Sequence, residues 1–528
     1  MNDDAKAEET TAAARTPWHQ SNAALIAACI LLPPVGLVLL WRRRDISAQT
    51  RVLASLCVVA LAAGYVYLLV GRRGNSGPGE AHYTALEQHR AAQQSEAAPA
   101  AQAGAPAGQT AAGNAGQPAP GAAPAEGGQP ADAAHAEAPP KAARNYWTDF
   151  RGPNRDGRYE ELTVRAGWPA GGLPQLWRQP VGGGYASFVV AEGRAFTIEQ
   201  RRAQEVVAAY DVETGRELWK HGWDAEFRES MGGDGPRATP TWHDGRVYAL
   251  GAAGELRCLD AKTGRLVWNR NILKENGAEN IQWGMSASPL IVDDKVVVLP
   301  GGPSGKSVVA YNRLTGAPVW KALDDEASYT SPMLVTLAGR RQILVVTASR
   351  AVGLAEDGAL LWEYPWSNGS RINVAQPIVT GPNRFFISAG YGKGAALVEV
   401  TGSGKSFAAR TVWENNSMKN KFQSSVLHNG YVYGLDEGIL TCVEVATGER
   451  KWKGGRYGYG QLLLAGDHLI VITESGELVL VRAAPDQHTE VAKFQALEGK
   501  TWNVPAISGN RLLVRNQTEM AAYNLAAQ

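Results

Sequence analysis

This 528-residue chain is poor in the residues that build metal sites and disulfide frameworks. Its four cysteines, Cys29, Cys57, Cys258 and Cys442, form no CxxC pair and no two are adjacent; the nine histidines show no metal-ligand spacing. It also lacks a charge excess. Lysine and arginine number 52 against 51 acidic residues, and there is no basic arm or RNA-binding aromatic motif, which argues against nucleic acid as a partner. From about Gly74 to Ala143 apolar side chains are scarce and Ala, Pro, Gly and Gln dominate, so this stretch cannot offset its chain entropy and is expected to be a disordered linker. Within it AHYTALEQHRAAQQSEAA could form a short helix, and His82, His89 and His135 read as solvated bystanders.

Two other stretches lack charge altogether. Asn22–Trp41 carries none over 20 residues and Val52–Val70 none over 19, long enough for a hairpin of two membrane-spanning helices. The loop Arg42–Arg51 holds four arginines, a density that predicts a cytoplasmic loop with both tails outside. The expected order is a tail over 1–21, helices over 22–41 and 52–70 around a basic loop 42–51, a linker over 71–144, and one folded domain over 145–528.

That domain is written in repeats. YDVETGRELW (Tyr210–Trp219) reads as a strand, a Thr-Gly turn and a second strand ending on Trp. It recurs as LDAKTGRLVW, YNRLTGAPVW and VEVATGERKW, with weaker copies LAEDGALLW and VEVTGSGKSFAARTVW. A further hairpin precedes each, as in TWHDGRVYAL and VLHNGYVYGL. The terminal aromatics Trp177, Trp219, Trp268, Trp320, Trp362, Trp413, Trp452 and Phe494 are spaced by 42, 49, 52, 42, 51, 39 and 42 residues, the period of a four-stranded propeller blade. The predicted fold is therefore an all-β, eight-bladed β-propeller. Its last blade stops after three strands, and LPQLWRQPV (Leu173–Val181) is expected to supply the fourth and close the ring. The eight aromatics are expected to pack blade on blade.

The pattern in AAYDVETGRELW and RCLDAKTGRLVW resembles the tryptophan-docked PQQ-like (pyrroloquinoline quinone) repeat shared by quinoprotein dehydrogenases and BamB-like outer-membrane assembly proteins. The lead-in NYWTDFRGPNRDG, with GMSASPLIVDD and GGRYGYGQLLLAGDHLIV, resembles the bacterial BamB-like group. The BamB-like branch implies no cofactor and a protein or peptide partner in the envelope, outside the cytoplasmic membrane. The dehydrogenase branch implies an alcohol oxidoreductase with the quinone and Ca²⁺, for which Asp224, Asp234, Asp324 or Asp325 would be carboxylates. Those enzymes typically carry a vicinal cysteine disulfide, and this chain has no adjacent cysteines.

The long loops between one blade's outer strand and the next blade's inner strand share one face. Register places Tyr185, Arg237, Ser286, Tyr329, Val374, Phe422, Tyr459 and Trp502 at the channel mouth. With Trp283, Arg371, Lys421 and Lys500 nearby, this rim is the candidate binding surface, unless the aromatics merely plug the channel. Cys258 and Cys442 fall in the second and sixth blades, too far apart for a disulfide. RGPNRDG (Arg151–Gly157) reads as a lead-in against the outside of the propeller.

Overall fold

The computed structural model describes residues 33–43, 45–71, 77–102, 146–161, 167–404 and 406–526, with Ile26, Cys29 and Val164. The chain divides into two compact units, Met1–Ser76 and Gly77–Gln528. In the first, helix α1 (Pro33–Arg42) and helix α2 (Ala48–Gly71) are joined at their near ends by a bond from Trp41 Nε1 to Ser55 Oγ of 3.0 Å. Most of the first half of the predicted span Asn22–Trp41 lies outside the described residues. Ten residues of helix rise about 15 Å, half a bilayer core. The described side chains of α2 end at Ala60. Among the described residues no helix is long and apolar enough to cross a membrane, so the expected hairpin finds no support here.

The second unit holds eight β-sheets. The first blade is Val189–Ala191, Arg194–Arg201, Gln204–Asp211 and Glu217–Asp224, inner to outer, every pair antiparallel. Alternation explains the burial: the two middle strands are buried almost throughout, while the outer strand alternates exposed and part-buried residues. In the eighth blade Ala506–Ser508, Arg511–Arg515 and Glu519–Asn524 are completed by Gln175–Pro180, which pairs antiparallel with Glu519–Asn524 as the sequence predicts. No sheet edge is left at the seam.

The Thr-Gly turn follows from side-chain chemistry. Asp211 Oδ1 accepts from Glu213 N (3.1 Å), Thr214 N (2.9 Å) and Thr214 Oγ1 (2.9 Å), and Asp260 and Asn312 repeat the arrangement. Gly215 then sits at φ 68°, and a Cβ there would lie 2.6 Å from the Trp177 ring. Six of the seven outer-strand tryptophans lie on the next blade's turn and donate to its carbonyl: Trp177 to Val212 (3.0 Å), Trp219 to Ala261 (3.1 Å), Trp268 to Arg313 (3.0 Å), Trp320 to Glu356 (3.0 Å), Trp413 to Val445 (2.8 Å) and Trp452 to Ala484 (2.9 Å). Phe494 has no N–H and packs edge-on against Tyr523 at 5.2 Å. Trp362 departs from the rule. The next turn is enlarged, and its indole N–H goes instead to buried Gln342 of its own blade.

Around the axis a second belt ties the inner strands. Ser187 N donates to Thr239 Oγ1 (2.9 Å), Thr241 Oγ1 to Pro289 O (2.6 Å), Ser288 N to Ser331 Oγ (2.9 Å), Ser331 N to Gln376 Oε1 (2.7 Å) and Gln376 N to Ser424 Oγ (3.0 Å). Gln461 Nε2 then reaches Phe422 O (3.3 Å) and Trp502 O (3.0 Å), and Asn503 Nδ2 reaches Ala186 O (2.9 Å). Every blade junction carries at least one such link. Cys258 and Cys442 are buried free thiols in the second and sixth blades, pushed up by burial to about 11 and about 12.

Two expectations need correction. The lead-in does not lie on the outside. Trp147 bridges Val190 of the first blade, Thr148 O accepts from Trp242 N of the second, and Arg158–Tyr159 runs parallel to Gln461–Ala465 of the seventh. The segment thus crosses the axis at the end away from the mouth, where the inner strands have unpaired carbonyls. Arginines satisfy them. Arg151, fully buried, donates to Ser425 O (2.8 Å), Ser424 O and Leu462 O (both 3.4 Å). Arg155 donates to Pro332 O (2.9 Å), Ser288 O (3.1 Å) and Pro289 O, and pairs with Asp149 at 3.0 Å. Burial lowers both guanidinium pKa values, that of Arg151 to about 10. Five fixed donors per guanidinium explain why arginine fills this place.

The linker is the other correction. Its first part forms the short helix that the sequence allows, α3 (Glu80–Gln102), but docked over the seam of the eighth and first blades, while 103–145 lies outside the described residues. Tyr83 and Leu86 are buried, Arg90 Nη2 donates to Pro180 O (2.7 Å), and Arg202 pairs with Glu80 (2.7 Å) and Glu87. His82 and His89 are not bystanders: His82 Nε2 lies 2.8 Å from Val181 O, and His89 bonds Gln179. His135 lies outside the described residues.

Candidate functional site

At the mouth of the axis the inner-strand ends converge on a cavity of about 470 Å³. Seven of the nine sequence-predicted binding residues line it: Tyr185, Arg237, Trp283, Tyr329, Lys421, Phe422 and Trp502. Phe150 of the lead-in lines it too, and with Arg151 bonded just beyond, the channel ends in a floor. The channel is therefore neither an open bore nor filled by its own rim.

The walls are ordered by ring contacts. Tyr185 and Trp502 lie 5.3 Å apart, Trp502 and Phe422 4.7 Å, and Phe422 and Tyr459 4.9 Å, a chain of rings along one wall. Trp283 and Tyr329, 5.5 Å apart, belong to a second wall. Trp502 Nε1 is fixed by Glu474 Oε1 at 2.9 Å. Tyr459 stands behind Phe422 rather than on the lining.

Three cations sit against these rings. Arg237 lies over Phe227 at 4.6 Å and Tyr185 at 5.6 Å, Lys500 over Trp502 at 4.2 Å and Tyr185 at 5.6 Å, and Lys421 over Tyr459 at 4.9 Å and Tyr391 at 5.3 Å. Arg237 also donates to Gly233 O and Gly235 O, and Lys500 to Gly232 O at 3.1 Å. Burial lowers Arg237 to about 10 against the weaker pull of Tyr185, Glu229 and Asp234. Burial likewise raises Tyr329 to about 12, so it stays a neutral phenol. Among the described residues Arg237, Lys421 and Lys500 have no carboxylate within ion-pair distance.

Arg371 is not brought into the site. It points outward, half-exposed, paired with Glu326 at 3.2 Å. Sequence reading missed Phe150, Met231, Ile372 and Tyr391, which also line the cavity. Tyr391 sits in a turn of the fifth blade, inside the Gly-rich run AGYGKG, where its φ of 56° aims it inward. Only that run of glycines hints at it.

The dehydrogenase alternative can be tested against the donor set. The cofactor needs oxygen ligands for Ca²⁺ and a carboxylate base. The described lining contains no Asp, Glu or Asn. The four candidate carboxylates are spent elsewhere: Asp325 on Arg350 (2.7 Å), Asp224 on Gln204 (2.9 Å), Asp234 on Glu229 N (3.1 Å), and Asp324 on Gly305 N (2.5 Å). Among the described residues no group of three His, Cys, Asp or Glu could hold a metal ion. The residues present do not fit the group.

An eight-bladed ring with indoles docked between blades, and an aromatic, cation-bearing mouth, defines a PQQ-like-repeat propeller. The family model described as outer membrane protein assembly factor BamB matches residues 174–294 and 202–454, and the chain belongs to that family. It is 24% identical over 341 residues to outer membrane protein assembly factor BamB of Burkholderia pseudomallei, covering 61% of this chain and 78% of that protein. It is also 32% identical over 101 residues to 1-butanol dehydrogenase (cytochrome c) of Thauera butanivorans, covering 18% of this chain; the match spans only 14% of that enzyme. Among solved structures, quinohemoprotein alcohol dehydrogenase ADHIIG of Pseudomonas putida HK5 superposes with a TM-score of 0.51 at 14% identity, over 73% of this chain and 81% of that one, a likeness of fold.

Proposed function

We propose that this protein is a non-catalytic scaffold of the bacterial cell envelope that holds a protein or peptide partner in the aromatic mouth of its propeller. One observation carries the reading: a floored cavity of about 470 Å³ walled by tyrosine, tryptophan and phenylalanine, with cations but no acidic group on its described lining. Such walls supply large, rigid contact area at little entropic cost, the composition of interface anchors. Membership of the BamB family supports an envelope role with protein partners. The charge-free runs Asn22–Trp41 and Val52–Val70 support a tether in the cytoplasmic membrane with the propeller outside, and here the sequence is the sole support.

The test is a photo-crosslinking residue placed at Phe422, on the mouth, and separately at Val412, on the exposed outer strand of the fifth blade. A discrete polypeptide adduct from Phe422 and none from Val412 is expected in intact cells. The reading is lost if Phe422 gives no adduct; saturable uptake of the quinone with Ca²⁺ by the purified full chain, with dye-linked alcohol oxidation, would put an oxidoreductase in its place.

A further inference from the structure

We propose that the mouth cavity receives the free C-terminus of its partner polypeptide, with an aromatic or branched apolar last residue seated among Phe422, Trp502 and Tyr185 and the terminal carboxylate held between Arg237 and Lys500. This deepens the scaffold reading and rests on it.

The shape restricts the occupant first. Phe150 and the Arg151 crosslink close the axis, so a segment cannot thread through. A loop would need two backbone passes about 4.7 Å apart with side chains outside both. A chain end needs one pass, and about 470 Å³ accommodates it.

Charge restricts it next. Arg237 and Lys500 flank the same Tyr185 ring, each at 5.6 Å, and both are anchored on carbonyls of the one loop, Gly232 to Gly235. Arg237 lines the cavity and Lys500 stands against Tyr185 and Trp502 at its edge, with Glu229 and Asp234 acting on Arg237 less strongly than its burial does. Among the described residues neither has a carboxylate at ion-pair distance, and a partly desolvated cation in that state favours an incoming anion. A chain end brings an apolar last side chain and a carboxylate on one residue, matching the apolar wall and the two cations beside it.

The experiment uses the full chain in detergent and three acetylated hexapeptides ending in phenylalanine: the free acid, its C-terminal amide, and the free acid extended by two glycines. Binding is read by fluorescence anisotropy of an N-terminal dye and by the protein's tryptophan emission. The free acid is expected to bind at least tenfold more tightly than either of the others, and Lys500→Gln to remove most of that preference. Equal binding of acid and amide, or of acid and extended acid, overturns the inference, as does absence of any binding by the free acid. Because the peptide arms need no mutation, misfolding of a variant cannot rescue it. If Phe422 crosslinks a polypeptide in cells while acid and amide bind alike, the terminus falls and the scaffold stands; if Phe422 gives no adduct, both fall.

Discussion

Tryptophans at the rim and aromatics at the mouth are the same chemistry put to opposite uses. At the rim, Trp177 is almost wholly buried, its N–H is bonded to Val212 O at 3.0 Å, and its ring covers a glycine that could carry nothing larger. The next blade satisfies it completely. At the mouth, Trp502 packs against both Tyr185 and Phe422, and cations lie over Tyr185 and Trp502, yet all three rings line a cavity. What separates an anchor from a binding surface is whether the fold itself completes the contact. A buried aromatic spends its free energy on closure; one left facing a void retains it for a partner.

That contrast can be broken most severely at the seam. Deleting Glu519 onward removes the partner of Gln175–Pro180, and the truncated chain is expected to lose its cooperative thermal transition altogether, seen by near-ultraviolet circular dichroism. Next, Trp177→Ala should destabilise by about 3–5 kcal/mol, whereas Trp502→Ala, at a part-buried ring facing the cavity, should cost roughly 1–2 kcal/mol. Urea midpoints of the two variants measure the difference; equal losses would erase the distinction between rim and mouth.

A third probe sits between the two regions. Glu205, buried under the junction of the first two blades, accepts from Ala252 N at 2.8 Å, and burial pushes its carboxyl up to about 7. A carboxyl with a folded pKa above its unfolded value favours the fold while protonated. Its contribution is therefore full below about pH 4.5 and is lost as pH rises towards 7, by about 3 kcal/mol. Glu205→Gln should remove that decline, measured as the pH dependence of the urea midpoint relative to the unchanged chain. The smallest effect is expected from Lys500→Gln, within about 0.5 kcal/mol of stability, since the lysine holds only one surface carbonyl.

Blade number and the closing strand were legible because the indole at the end of each outer strand recurs with the blade, and because a missing strand at one end matched a spare one at the other. Register alone placed Tyr185, Tyr329, Phe422 and Trp502 at one mouth, since an inner strand's first residue must lie near the axis. The lead-in was not legible. Its route across the axis depends on carbonyls of four different blades and a hydroxyl of a fifth, and no periodicity within RGPNRDG encodes them. Arg371 was misplaced for a related reason: a loop of this length can turn its arginine to Glu326 as readily as to the channel. The helix Glu80–Gln102 was visible only as a propensity, because what holds it is a surface on distant strands.

The seam has a consequence in time. Arg178 and Glu519 meet across it although 341 residues separate them along the chain. At synthesis rates of about 5–20 residues per second, the first of these strands waits on the order of 17–70 s for its mate. Throughout that interval the nascent molecule is an open horseshoe with two adhesive lips, most vulnerable to neighbours like itself until its final residues emerge.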